Sequence, residues 1–205
     1  DVYGDGRSEK FVGELIKSTS EKIFVATKSG RRLNPHTAEG YNLKNIEQFI
    51  DRSLINLGVE CIDLLQLHCP PSEICKKKET YEMMDEIVKK GKIANYGVSV
   101  EKVSEAMDAI QFPNIKSIQI IFNIFRQKPA EFFFKEAAKK EIAIIARVPL
   151  ARGTLAIIAT FLFADSLKNS SLGFCLKILK IIWILLTFGN WIASIASDTF
   201  STLTP

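Results

Sequence analysis

The sequence predicts an α/β fold, a partial (β/α)8 barrel followed by an apolar, helical tail, and three observations predict it. Up to about residue 153, helix-like and strand-like segments alternate. The strand-like segments are short, continuous apolar runs, as expected for parallel strands covered on both faces. Polar residues fall at successive strand ends, at Lys28, His68, Ser99, Asn123 and Arg147, and function gathered at the carboxyl ends of many strands is the habit of a barrel. The competing architecture, an open doubly wound sheet, requires Gly-x-Gly-x-x-Gly after a strand. The chain has none.

Each element follows from local pattern. Ser8 to Lys17 reads as a short amphipathic helix, and Ile23 to Thr27 as a buried strand. From Tyr41 to Leu57, the residues Leu43, Ile46, Ile50, Leu54 and Leu57 recur on one helical face, with Gly58 just past the end. Ile62 to Leu67 is the next strand, Thr80 to Lys90 a helix capped at Gly91, and Ala94 to Val98 a strand. Val103 to Ile110 is helical, Ser117 to Asn123 extended, Ala130 to Lys140 helical and Ile142 to Ala146 extended. Five strands out of eight would leave two open sheet edges, a liability for solubility.

At 205 residues the chain can bury a real core, enough for one domain or one and a part. Apolar residues make up 47% and charged residues 24%, an ordinary globular balance. The net charge of +4 is not gathered into a stripe. Lys76-Lys77-Lys78 and Arg31-Arg32 read as solvated faces, with no interleaved aromatics to suggest a nucleic-acid partner. Cys61, Cys69, Cys75 and Cys175 show no Cys-x-x-Cys spacing, so neither a metal site nor a redox pair is expected. Reduced cysteines in a cytoplasmic protein are the simpler reading. The chain opens at Asp1 without a signal-like apolar run and is expected to be truncated ahead of that residue.

Two segments are expected, 1–153 and 154–205. In the second, only Asp165, Lys168, Lys177, Lys180 and Asp198 carry charge. Residues 181–197 form an uncharged stretch of 17 residues, at the short limit for spanning a bilayer. Three readings stay open: a marginal membrane anchor, a buried helical cap, or sequence foreign to the fold. The third is preferred, because Gly189, Asn190 and several hydroxyls weaken the apolar run.

Three isolated polar residues carry the chemistry: Tyr3, Lys28 and His68, each at or just after the end of an apolar run. Carbonyl reduction needs a hydride at carbon and a proton at oxygen. A tyrosine hydroxyl is a poor acid at neutral pH, a nearby ammonium favours the phenolate, and an imidazole can hydrogen-bond the carbonyl oxygen. Together they make a proton-donating site beside a nicotinamide. Taken singly, each has a duller reading: a turn tyrosine, a solvated lysine, a satisfied core histidine. Closing the strands into a barrel would turn all three toward one mouth.

The words around these residues resemble the aldo/keto reductase family over roughly residues 1 to 153. Asp-Val-Tyr-Gly-Asp-Gly-Arg-Ser-Glu is similar to the segment after the second barrel strand, which holds the acid tyrosine. Val-Ala-Thr-Lys-Ser-Gly resembles the third strand with its lysine, and Ile-Asp-Leu-Leu-Gln-Leu-His-Cys-Pro-Pro the fourth with its histidine. Lys-Gly-Lys-Ile-Ala-Asn-Tyr-Gly-Val-Ser, ending at Ser99, is similar to the signature leading into the fifth strand. The resemblance implies barrel strands 3 to 7, NADP(H) as cofactor and a small-molecule carbonyl substrate. It implies Tyr3, Lys28 and His68 as catalytic residues, with Ser99 and Gln119 holding the nicotinamide carboxamide and Arg147 packing on the ring. On their own, Gln119 would be a neutral strand residue, Arg147 a surface arginine and Ser99 a helix N-cap.

Three departures temper this. The family's aspartate partner of the lysine would fall just before Asp1, and Asp1 is no substitute. Val100 stands where an asparagine usually follows the serine. Past Leu155, nothing resembles the basic grip on the adenosine 2′-phosphate. The chain is therefore expected to be an impaired reductase fragment. The alternatives are a non-catalytic cofactor-binding regulatory subunit of the same fold, or a non-functional gene fragment.

Overall fold

Apolar runs of four to eight residues alternate with amphipathic helices, and the computed structural model, which describes residues 2–154, pairs those runs into one sheet. Its strands are β1 (Ala26–Ser29), β2 (Ile62–His68), β3 (Ile93–Val100), β4 (Ser117–Ile121) and β5 (Ala143–Arg147). All neighbours are parallel, and the order in space is the order in sequence. A doubly wound sheet reverses its strand order at a switch point; this one does not. The fold is α/β, a five-strand sector of a (β/α)8 barrel.

Helices fill the connections: α1 (Arg7–Ser18) precedes β1, and α2 (Leu43–Leu57), α3 (Lys78–Lys89) and α4 (Val103–Ala109) follow in turn. The longest, α2, starts where the Asn42 side chain accepts from the Asn45 N–H at 3.1 Å, and stops at Gly58, whose N–H donates back to the Leu54 carbonyl. Its Ile46, Ile50 and Leu57 are buried with Leu65, Leu67, Val98 and Ile118 of the sheet and Met84 and Ile87 of α3 in one continuous core.

Register places the site residues. Lys28 pairs with Gln66, Gln66 with Gly97, and Gly97 with Ser117, making one row across the sheet. Two residues further along, His68 pairs with Ser99, and Ser99 with Gln119. Residues two apart on a strand share a face. Lys28, Gln66, His68, Ser99 and Gln119 therefore all project from one side, opposite Leu65, Leu67, Val98 and Ile118.

Four local expectations need correction. Pairing in β1 begins at Ala26 rather than Ile23, because the Val25 N–H donates to the Asp63 carboxylate at 2.8 Å and not to a strand. Lys28 consequently lies inside the strand. Asn123 lies beyond the end of β4, in an isolated bridge with Arg126. The helix expected from Ala130 to Lys140 is two short ones, α5 (Lys128–Phe132) and α6 (Phe134–Lys139), separated at Phe133, whose ring is fully buried. Ser99 is a strand residue rather than a helix cap; α4 is instead capped by the Glu105 carboxylate, which accepts from the Lys102 N–H.

Residues 1–147 form one compact unit. Expectations for the tail beyond residue 154, including its helicity and the 181–197 stretch, fall outside the described residues. Among the described residues, no helix is long and apolar enough to cross a membrane, and no cluster of three or more His, Cys, Asp or Glu could hold a metal.

Candidate active site

Tyr3 opens a short 3-10 turn, Tyr3–Gly6, that leads directly into α1. Asp5 fastens this turn. Its carboxylate pairs with Arg32 and, at 2.6 Å, with Arg52 of α2, and Arg52 also donates to the Asp5 carbonyl at 2.7 Å. The hydrogen bonds from Arg52 and Arg32, reinforced by their charge, hold the Asp5 carboxyl down to about 2.

So fastened, the Tyr3 ring lies against two side chains from the sheet. Its centroid is 5.8 Å from that of His68, with the rings stacked at 29°. The Lys28 Nζ sits over the same ring, 5.3 Å from its centroid. Tyr3 remains half exposed, His68 is buried, and Lys28 is intermediate. Three residues separated by 25 and 40 positions in the chain therefore meet at the carboxyl ends of β1 and β2. A cavity of about 260 Å³ borders two of the three, Tyr3 and Lys28, together with Glu9, Thr27 and Leu57, and does not reach His68.

Electrostatics distinguish the two basic groups. Burial pushes the Lys28 ammonium below its ordinary value, the Arg147 charge adds to this, and Cys69 opposes it. Burial, then the charges of Lys28, Arg31 and Arg147, push His68 from 6.5 down to about 4. At neutral pH the imidazole is uncharged, a hydrogen-bonding group and not a proton store.

This has a consequence for stability. The unfolded chain binds the His68 proton near 6.5, whereas the folded protein resists it until about 4. Folding stability should therefore fall as pH drops through that window, by roughly 3 kcal/mol from this residue. Its ring proton resonance should titrate with a midpoint near 4; a midpoint at or above the ordinary value would overturn this placement of the ring.

The remaining expected residues also gather here. The Ser99 hydroxyl donates to the Gln119 side-chain oxygen at 3.0 Å. Arg147, the last residue of β5, donates through Nη1 to Cys69 Sγ at 3.0 Å and to Ser99 Oγ at 3.4 Å, and through Nη2 to Glu101 at 3.4 Å. His68 Nδ1 and Arg147 Nε are buried without a hydrogen-bond partner among the described residues. A hydroxyl, an amide and a guanidinium side by side offer both donors and acceptors, which is what a carboxamide requires. The set fits a nicotinamide.

Other residues at the site were not singled out from sequence. Cys69 bridges to Arg147, Gln66 donates to Ser117 at 3.2 Å beneath the Ser99–Gln119 pair, and Glu9 links α1, β1 and α2. Glu9 left a trace: it shares a helical stripe with Val12, Gly13 and Ile16, a carboxylate on the apolar face.

Comparison with known proteins bears on the family and the fold. The family model for the aldo/keto reductase family matches residues 1–160. The chain is 32% identical over 158 residues to the uncharacterized oxidoreductase YqkF of Bacillus subtilis, covering 76% of this chain and 51% of that protein. It is also 32% identical over 164 residues to the aldo-keto reductase yakc [NADP(+)] of Schizosaccharomyces pombe, covering 76% and 48%. Among solved structures, the holo form of an aldo-keto reductase from Bacillus halodurans superposes with a TM-score of 0.64 at 29% identity, covering 75% of this chain and 52% of that one. The chain spans about half the length of the curated relatives it matches.

Proposed function

The chain belongs to the aldo/keto reductase family, and from that premise we propose that the complete protein is an NADP(H)-dependent oxidoreductase that reduces aldehydes or ketones to alcohols. The observation that carries this reading is the meeting of Tyr3, Lys28 and His68 around one phenol ring. NADP(H) as cofactor is supported by the name of the yeast relative and by the donor and acceptor set at Ser99, Gln119 and Arg147.

When bound, the nicotinamide supplies the hydride. The chain's own residues handle the oxygen. Tyr3 is the general acid, giving its hydroxyl proton to the carbonyl oxygen as negative charge develops there. Lys28 places an ammonium beside that phenol and stabilises the phenolate left behind. His68, uncharged, donates a hydrogen bond to the carbonyl oxygen and fixes its orientation. Ser99 and Gln119 would hold the carboxamide, and Arg147 would pack on the ring. All these roles fall within residues 1–153. Unpaired thiols at Cys61, Cys69 and Cys75 suit a reducing compartment, and we place the protein in the cytoplasm.

The test is stoichiometric. The complete gene product, given NADPH and an aromatic aldehyde, is expected to oxidise many equivalents of cofactor per site. A regulatory subunit of the same fold would quench NADPH fluorescence and then turn over less than one equivalent. That result would replace the reductase reading with the regulatory one.

A further inference from the structure

We propose that Glu9 is a positioning residue for the acid and its amine, tying the helix that follows the Tyr3 turn to the strand that carries Lys28. The proposal rests on the reductase reading and concerns how that site is held in register.

Glu9 is 6% exposed, a carboxylate inside the protein. Its Oε1 accepts from Thr27 Oγ1 at 2.6 Å and from Ser53 Oγ at 2.7 Å, and its Oε2 accepts from Asn56 Nδ2 at 2.9 Å. Thr27 directly precedes Lys28 in β1, and Ser53 and Asn56 are one turn apart on α2. Burial pushes the Glu9 carboxyl up, but the bonds from Thr27, Asn56 and Ser53 together hold it below its ordinary value.

The contacts around it converge on α2. Gly13, one turn after Glu9, lies so close to α2 that a Cβ there would stand 2.6 Å from the Leu57 carbonyl oxygen. Within the Tyr3 turn itself, Asp5 is held by Arg52 of the same helix. Two carboxylates, Asp5 in the turn and Glu9 at the start of α1, thus refer the Tyr3 turn and the Lys28 strand to one rigid element. An apolar side chain would pack this site without the desolvation cost of a buried charge. What the charge adds is directional bonding to a strand and a helix at once, which fixes distance and angle.

Four variants of the complete gene product test this, with kcat expressed per NADPH-binding site so that misfolded molecules are not counted. Glu9→Gln removes the charge and leaves one acceptor oxygen for the three donors of Thr27, Ser53 and Asn56. It is expected to lower kcat about tenfold, as a small displacement of a reacting group does. NADPH affinity should hold, because Ser99 and Gln119 lie on other strands, and the solvent deuterium effect on kcat should rise as proton delivery becomes limiting. Adding Asn56→Asp gives the new amide an acceptor and should restore kcat. Should Glu9→Gln fail to fold, Thr27→Val removes only the strand-side bond and is expected to lower kcat severalfold with the same isotope signature, whereas Thr27→Ser retains it. A kcat per site within twofold of the parent in Thr27→Val, or an undiminished loss in the Glu9→Gln/Asn56→Asp pair, overturns the proposal. Tyr3→Phe in parallel separates the two ideas: if it too leaves turnover unchanged, the reductase reading itself has failed and takes this one with it.

Discussion

Tyr3→Phe in the complete gene product is expected to lower kcat with an aromatic aldehyde by about 10²–10⁴-fold, the range a positioned general acid supplies. That loss corresponds to roughly 3–5 kcal/mol of transition-state stabilisation. The substitution is selective. The phenyl ring can keep its stacking on His68 and its place beneath Lys28 Nζ, so only the hydroxyl is lost. Neither Ser99, Gln119 nor Arg147 bonds to Tyr3 in the set that fits the carboxamide, so NADPH fluorescence quenching should persist at the parent affinity. His68 cannot take over as acid at pH 7, because it stays uncharged down to about 4. Turnover within twofold of the parent would remove Tyr3 from the reaction and leave the meeting of the three side chains without a catalytic meaning.

Much of this arrangement was legible in the sequence because it depends on local pattern. The apolar run ending at His68 and the helix from Leu43 to Leu57 declare themselves through period and caps. Strand ends identified His68 and Arg147 as residues on the mouth, and both occupy the last positions of their strands. Register was less legible. That His68 stands level with Ser99 and Ser99 with Gln119 is set by the pairing between strands, which no single strand encodes. The start of β1 was misplaced because a side chain, Asp63, occupies the Val25 N–H that a strand pattern assigns to a neighbouring backbone.

The supporting polar residues were the least legible. Asp5, Glu9, Ser53 and Asn56 look like ordinary surface positions in sequence, and Thr27 like the plain end of a buried strand, since their partners lie 18 to 47 residues away. Only Glu9, on an apolar stripe, breaks its local pattern. Residues that orient a catalytic group act through distant hydrogen bonds, and such bonds leave no periodic trace.

Gly97→Ala is expected to be the most damaging single substitution in the sheet. A Cβ at this position would stand 2.2 Å from Ser117 Oγ and 2.3 Å from the Ser117 carbonyl oxygen. The hydroxyl could rotate away. The carbonyl could not, because Gly97 and Ser117 are register partners in the β3–β4 ladder, and relieving the contact means prising the strands apart. Overpacking a core typically costs 1–3 kcal/mol, and a backbone obstruction in the central strand should reach about 3 kcal/mol or more. Denaturant unfolding should show this as a lower midpoint, or the variant should not accumulate as soluble protein. Ser117→Gly in the same chain clears the hydroxyl and leaves the carbonyl, so it should recover only a minor part of the loss. The effect also reaches the site. Gly97 lies between Gln66 and Ser117 in the row across the sheet, and the Gln66 side chain reaches Ser117 at 3.2 Å over the space that glycine leaves open. That row lies directly beneath His68, Ser99 and Gln119, so any Gly97→Ala protein that does fold should bind NADPH more weakly. If the variant matches the parent within about 0.5 kcal/mol, the β3–β4 spacing is wide enough to admit a methyl group, and the level placement of Ser99 and Gln119 falls with it.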